Sequence, residues 1–238
     1  MKEKQMEKRL LALFLSLFLV HLGMMKSYSQ FSKMEFGVRG GLNLAKADFN
    51  SDAFSEEFGE DLERKIIPRL GIGGLIEYPF SKMIRVQLNV LYNQKGEKFE
   101  GTLVIPGAGI VDVKITNKFD YLSVPIFAKL NFLEGNAKPY LILGPEMSFL
   151  LSAKQKSEAN IMVLGLDSTL IDQDIKDFLK STELSLNFGA GIDFPISTFT
   201  AFIEGRYGLG ITKINKEGED DVKTNVIYLN IGLRFGKK

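Results

Sequence analysis

The chain has 238 residues, with 30 lysines and arginines against 29 aspartates and glutamates and a formal net charge of +1. Such a balance gives no electrostatic footprint for nucleic acid. Cysteine is absent and the one histidine is His21, inside the export signal described next. The remaining chain therefore has no disulfide, no thiolate, no lipoprotein anchor, no Ser-His-Asp or Cys-His pair, and lacks the commonest zinc ligand.

Residues 1–29 read as a cleaved secretory signal. Lys2, Lys4, Lys8 and Arg9 form a basic start, Leu10 to Leu22 is apolar except for Ser16 and His21, and Ser27 and Ser29 put small residues before Gln30. The apolar run is shorter than the ~20 residues a membrane-spanning helix needs. Residues 30–238 suit one domain, and Gly at 23 of 238 fits a tightly curved sheet.

Eight segments then alternate apolar and polar residues at the period of a strand. The first, 35–47, sets Phe36, Val38, Leu42 and Leu44 against Gly37, Arg39, Gly41 and Asn43. In 69–78, Leu70, Ile72, Ile76 and Tyr78 oppose Arg69, Gly71, Gly73 and Glu77. In 84–95, Val86, Leu88, Val90 and Tyr92 oppose Arg85, Gln87, Asn89 and Asn93. The fourth, 119–132, places Leu122, Val124 and Leu130 against Ser123, Phe127 and Lys129. In 139–151, Leu141, Leu143 and Phe149 oppose Tyr140, Gly144 and Glu146. In 182–194, Leu186, Phe188 and Ile192 oppose Asn187, Gly189 and Asp193. Segment 199–210 sets Ala201, Ile203 and Leu209 against Glu204, Arg206 and Gly208, and 225–235 sets Ile227, Leu229 and Ile231 against Tyr228, Asn230 and Arg234. Pro125 and Pro145 fall inside two of these strands, where each removes a ladder donor, so each predicts a bulge or a solvated inner site.

The connections alternate in length. Those at 79–83, 133–138 and 195–198 are short; those at 48–68, 96–118, 152–181 and 211–224 are long. This pattern after an export signal predicts an all-β, eight-stranded antiparallel up-and-down barrel in the outer membrane, with the short turns and both termini in the periplasm. The apolar face carries no charge in its middle, where a lysine or arginine costs ~2–4 kcal/mol. Tyr78, Tyr92, Phe194, Tyr207 and Phe235 stand near strand ends, as interfacial girdles do. The opposite face, rich in Gly, Asn, Ser and Arg, suits a narrow interior rather than a solvated exterior.

That interior carries the candidate site: a lumen charge network of Arg39, Arg69, Arg85, Lys129, Arg206 and Arg234 with Glu77, Glu146, Asp193 and Glu204. Glu35 and Glu183 add acid near strand ends. Buried charges must pair, and eight strands leave room only for side chains, so an interlocked plug is expected in place of a pore. Arg39, Glu77, Arg85, Lys129, Asp193 and Arg234 are expected together in the half nearest the short turns.

In the long loops, Phe54, Phe58 and Leu62 within 52–65, and Ile171, Ile175, Phe178 and Leu179 within 167–180, have helical spacing and predict short amphipathic helices. Two acidic clusters, Glu56, Glu57, Glu60, Asp61 and Glu63, then Glu217, Glu219, Asp220 and Asp221, lack an EF-hand pattern and read as solvated loops, not cation sites. No catalytic set, metal site or cofactor motif is found.

Phe36–Leu44, Leu91–Gly96, Tyr121–Ile126, Pro139–Pro145 and Phe188–Phe194, taken in order, resemble the PorT-like outer-membrane β-barrel family typical of Bacteroidetes. The resemblance spans nearly all of the exported chain and includes both strand prolines. It implies an eight-stranded outer-membrane barrel and brings no catalytic residues. Its namesake is tied to type IX secretion, so a component of a secretion or assembly complex is one reading. A non-enzymatic structural or interaction module is the first, with outer-membrane lipid around it and protein partners at the extracellular loops or periplasmic rim. A small gated pore is the third.

Overall fold

The computed structural model describes residues 34–48, 62–105, 109–133, 135–161, 166–216 and 222–236. The expected signal at 1–29, the helical stretch 52–61 and the acidic cluster 217–221 lie outside them.

Ten strands form one antiparallel sheet: β1 (Glu35–Asp48), β2 (Leu62–Ile66), β3 (Pro68–Pro79), β4 (Ile84–Ile105), β5 (Gly109–Asn131), β6 (Lys138–Ile161), β7 (Leu166–Asp174), β8 (Thr182–Ile196), β9 (Phe199–Gly210) and β10 (Lys223–Phe235). Eight of them close a ring, running β1, β3, β4, β5, β6, β8, β9, β10 and back to β1. The alternation predicts this because each strand has one apolar face that must leave the packed interior. Phe36, Val38, Leu70, Ile72, Val90, Leu143, Ile203, Leu229 and Ile231 all point outward and stay exposed. Their neighbours Arg39, Asn43, Glu77, Asn89, Glu146, Asn187, Glu204 and Arg206 are all buried inside. A charged core within an apolar shell is the inverse of a water-soluble barrel, and it is the arrangement of a barrel in lipid.

The other two strands correct the expected loops. β4, β5 and β6 continue well past the long-loop rim; β2 pairs with β4 and β7 with β6, so five strands project as a sheet beyond the barrel. Residues 62–66 and 166–174 are thus strands, not helices. The edges of β4 and β6 offer unpaired backbone groups, and pairing with them outweighs a marginal short helix. Only Lys176–Phe178 forms a 3-10 turn, which still lays Ile175 and Leu179 on Phe119, Tyr121, Leu150 and Ala153 at the barrel mouth.

The prolines also act differently from expectation. The register shift between β5 and β6 lies at Asp120/Tyr121, not at Pro125 or Pro145. Between the Pro125–Glu146 and Ala128–Leu143 pairs the ladder lapses, but its register is the same on both sides. Gly144 makes that close passage possible: a Cβ there would sit 1.9 Å from the Ile126 carbonyl oxygen.

Candidate functional site

Inward side chains at successive pleats stack into layers along the lumen. Nearest the short turns, Glu77 on β3 accepts hydrogen bonds from Arg85 on β4 (2.9 Å), Lys129 on β5 (3.3 Å) and Arg234 on β10. Asp193 on β8 accepts from Lys129 (2.7 Å) and Arg234 (2.6 Å), and Glu35 on β1 accepts from Arg85 (2.9 Å). Three cations face three carboxylates, so the layer is neutral. Glu77, Lys129, Asp193 and Arg234 are each at most 3% exposed. These partners come from six strands, so the network ties the ring across its diameter. Outside it, toward the turns, a cavity of about 470 Å³ opens between Lys82, Lys138, Phe132 and Phe199.

One pleat further in, Arg39 on β1 pairs with Glu204 on β9 and donates to Asn89 on β4 (3.2 Å). Arg39 therefore belongs to this layer and not, as expected, to the lower one. Residues two apart on a strand stand ~7 Å apart, enough to change partners. Tyr140 donates its hydroxyl to Glu204 (3.0 Å), while Lys129 lies 3.8 Å from the centre of its ring, so Tyr140 joins the two layers. Phe202 joins them again, 5.6 Å from the guanidinium of Arg39 and of Arg234. Arg206 lies between the rings of Phe127 (4.9 Å) and Tyr228 (4.7 Å), with its Nε 3.1 Å from Glu204. Glu146 forms no ion pair among the described residues; it accepts from Ser148, Asn187 and Tyr228.

At the long-loop end, Lys95 on β4 meets Glu183 on β8 at 3.0 Å and lies 4.6 Å from the Tyr121 ring. Arg69 makes no ion pair among the described residues and sits beside Gly96, apart from the network it was expected to join. Lys95, Tyr140, Phe202 and Tyr228 are the members that sequence reasoning passed over. The period of two marks all four as inward, but only the closed ring shows which opposing strands they reach.

On the projecting sheet the ion pairs are exposed or half-buried. Glu100 accepts from Lys65 (2.8 Å) and Lys98, and those hydrogen bonds hold its carboxyl down at about 2, below the ordinary 4.5. The group of ions thus stays charged well into acid. Glu63, the one described member of the first acidic cluster outside 52–61, lies 3.5 Å from Lys65. No cluster of three or more metal-binding side chains occurs among the described residues.

The family model described as "Outer membrane protein beta-barrel domain" matches residues 27–216, which takes in every strand but β10. Among solved structures the chain is similar to Neisserial surface protein A, at 17% identity and a TM-score of 0.41 over 85% of this chain and 97% of that one. It is similar to Ail, the attachment invasion locus protein of Yersinia pestis, at 18% identity and a TM-score of 0.39, covering 85% of this chain and 99% of that one. For the outer membrane protein OprG from Pseudomonas aeruginosa the values are 13% and 0.37, covering 87% and 98%. No curated protein matches the chain.

Proposed function

This chain belongs to the outer membrane protein beta-barrel domain family, and we propose that it serves in that membrane as a sealed, non-enzymatic barrel that anchors an interaction sheet. The single observation that carries this reading is the stack of ion-paired layers across the lumen. Glu77, Lys129, Asp193 and Arg234 fill the section near the short turns, and Arg39, Glu204, Arg206, Tyr140 and Phe202 fill the next. Opening a path for ions means breaking several buried pairs at once, and loss of one partner from such a pair costs ~3–5 kcal/mol. A sealed barrel is a rigid base. The sheet of β2, β4, β5, β6 and β7 then carries the contacts, and among the described residues its outer strands β2 and β7 each pair on one edge, which leaves the other for a partner strand. In this reading the short turns and both termini face the periplasm and the sheet projects from the cell.

Planar-bilayer recording tests it. The purified protein is expected to give no steady current; a steady open state would replace the plug with a narrow pore. The narrower kinship with PorT-like barrels rests on the sequence pieces from Phe36–Leu44 to Phe188–Phe194. Loss of type IX cargo export on deleting the gene would place the chain in a secretion complex, and unchanged export would leave it a stand-alone module.

A further inference from the structure

We propose that Lys118 on β5 and Lys154 on β6 form a docking point for the phosphate of an anionic lipid headgroup in the leaflet around the long-loop rim. Lys118 and Lys154 are directly opposite in the β5–β6 register, and both are exposed. Side chains so placed have Cβ atoms about 4.5–5.5 Å apart, and like charges there repel. The other outward lysines of the projecting sheet all have a carboxylate. Lys65 and Lys98 share Glu100, and Lys114 (3.4 Å) and Lys156 (3.1 Å) share Glu158. The side chains of Lys118 and Lys154 have no ion pair or hydrogen bond among the described residues. The flank of Lys118 toward β4 is Gly96, and the Arg69 guanidinium lies over it, with Nε 3.0 Å from where a Cβ would stand. Asp174 opposes Lys154 on β7, but its carboxylate accepts the backbone N–H of Lys176 at 2.9 Å. Lys176 in turn reaches the Leu151 carbonyl on β6 with its Nζ (2.8 Å), three residues from Lys154.

Their height decides the ligand. Leu122 on β5 and Leu151 on β6 are lipid-facing side chains, 38% and 47% exposed. Lys118 stands four residues beyond Leu122, about 13 Å along the strand. Headgroups occupy the outer part of a bilayer whose total thickness is ~40–45 Å around a ~30 Å hydrocarbon core. The unpaired lysines are thus the lysines of these strands nearest the apolar belt, with Lys65, Lys98 and Lys156 two residues further out and Lys114 four. Asp120, between Lys118 and Leu122, accepts from Gln94 at 3.2 Å, and an ammonium pair just outward of an apolar belt fits a molecule that is itself apolar below and anionic above.

Native mass spectrometry of the folded, detergent-solubilised protein tests this, with phosphatidylglycerol, lipid A or phosphatidylcholine titrated in. The wild type is expected to hold one anionic lipid in preference to phosphatidylcholine. Lys118→Gln/Lys154→Gln should weaken that hold about thirty-fold, since each lysine near such a surface contributes about 1 kcal/mol, or some five-fold. Each single variant should lose about five-fold, and Lys114→Gln should match the wild type. A heat-shift gel verifies folding of each variant. Equal retention of anionic and neutral lipid, or an unchanged double variant, overturns the proposal. Displacement of the lipid by millimolar inorganic phosphate at constant ionic strength also overturns it, because the pair would then be a free-anion site.

Discussion

Glu77 shows why a single lumen carboxylate matters more than its one charge. It has no solvent exposure, and Arg85, Lys129 and Arg234 all donate to it. Remove it and three cations share only Asp193 and Glu35. Glu77→Ala should therefore lose on the order of 3–5 kcal/mol, the usual cost of leaving a buried partner unpaired. Glu63→Ala should stay within about 0.5 kcal/mol of the wild type, because its carboxylate is 77% exposed. Urea unfolding in lipid vesicles measures both, and equal stabilities would show that the lower layer is wet and loosely held. Residues of this kind are readable as inward-facing from the sequence. Which of them pair is not: Arg39 went to Glu204 on β9 because closure brings that strand opposite, and no spacing within β1 encodes it.

At the scale of the element, β4 and β5 each pass through two surroundings. Within the ring their outward residues are apolar, as at Leu88 and Leu122; beyond it they turn polar, as at Lys98 and Thr116, with no break in the strand. Leu88→Arg, in the middle of the apolar band, should cost ~2–4 kcal/mol of folding into lipid. Thr116→Arg, on the projecting sheet, should cost no more than about 1 kcal/mol, which includes its facing Lys98 and Lys156 across the strands. The comparison is made by folding both variants into vesicles across a denaturant series. Equal penalties would mean that the band ends elsewhere. The strand patterns themselves were legible throughout the ring, since each has a dry face and a lipid face that alternate strictly. β2 and β7 were not legible, because an edge-pairing strand takes its partner from another part of the chain and needs no periodic pattern of its own.

As a whole molecule the ring leaves no strand of the barrel unpaired, and every backbone group at membrane depth has to find its partner inside the protein. Such a structure opens only by breaking the whole circuit. An unboiled sample should therefore migrate differently from a boiled one on a detergent gel, and the circular-dichroism spectrum should be that of a sheet. One gel position at all temperatures would contradict a closed barrel. Length enters here too, since β1 must find β10 at the far end of the chain before any lumen pair can form.

The amino-acid sequence alone determined the eight strands of the ring, their inward and outward faces and which rim carries the long connections. These follow from hydrophobic period and turn position, which are local. The tertiary structure alone decided the layering of the ion pairs, the place of Lys95 and Tyr140 among them, the projecting sheet and the unpaired Lys118–Lys154 couple. Each depends on register between strands far apart in the chain, and register is set by ring closure rather than by any one strand.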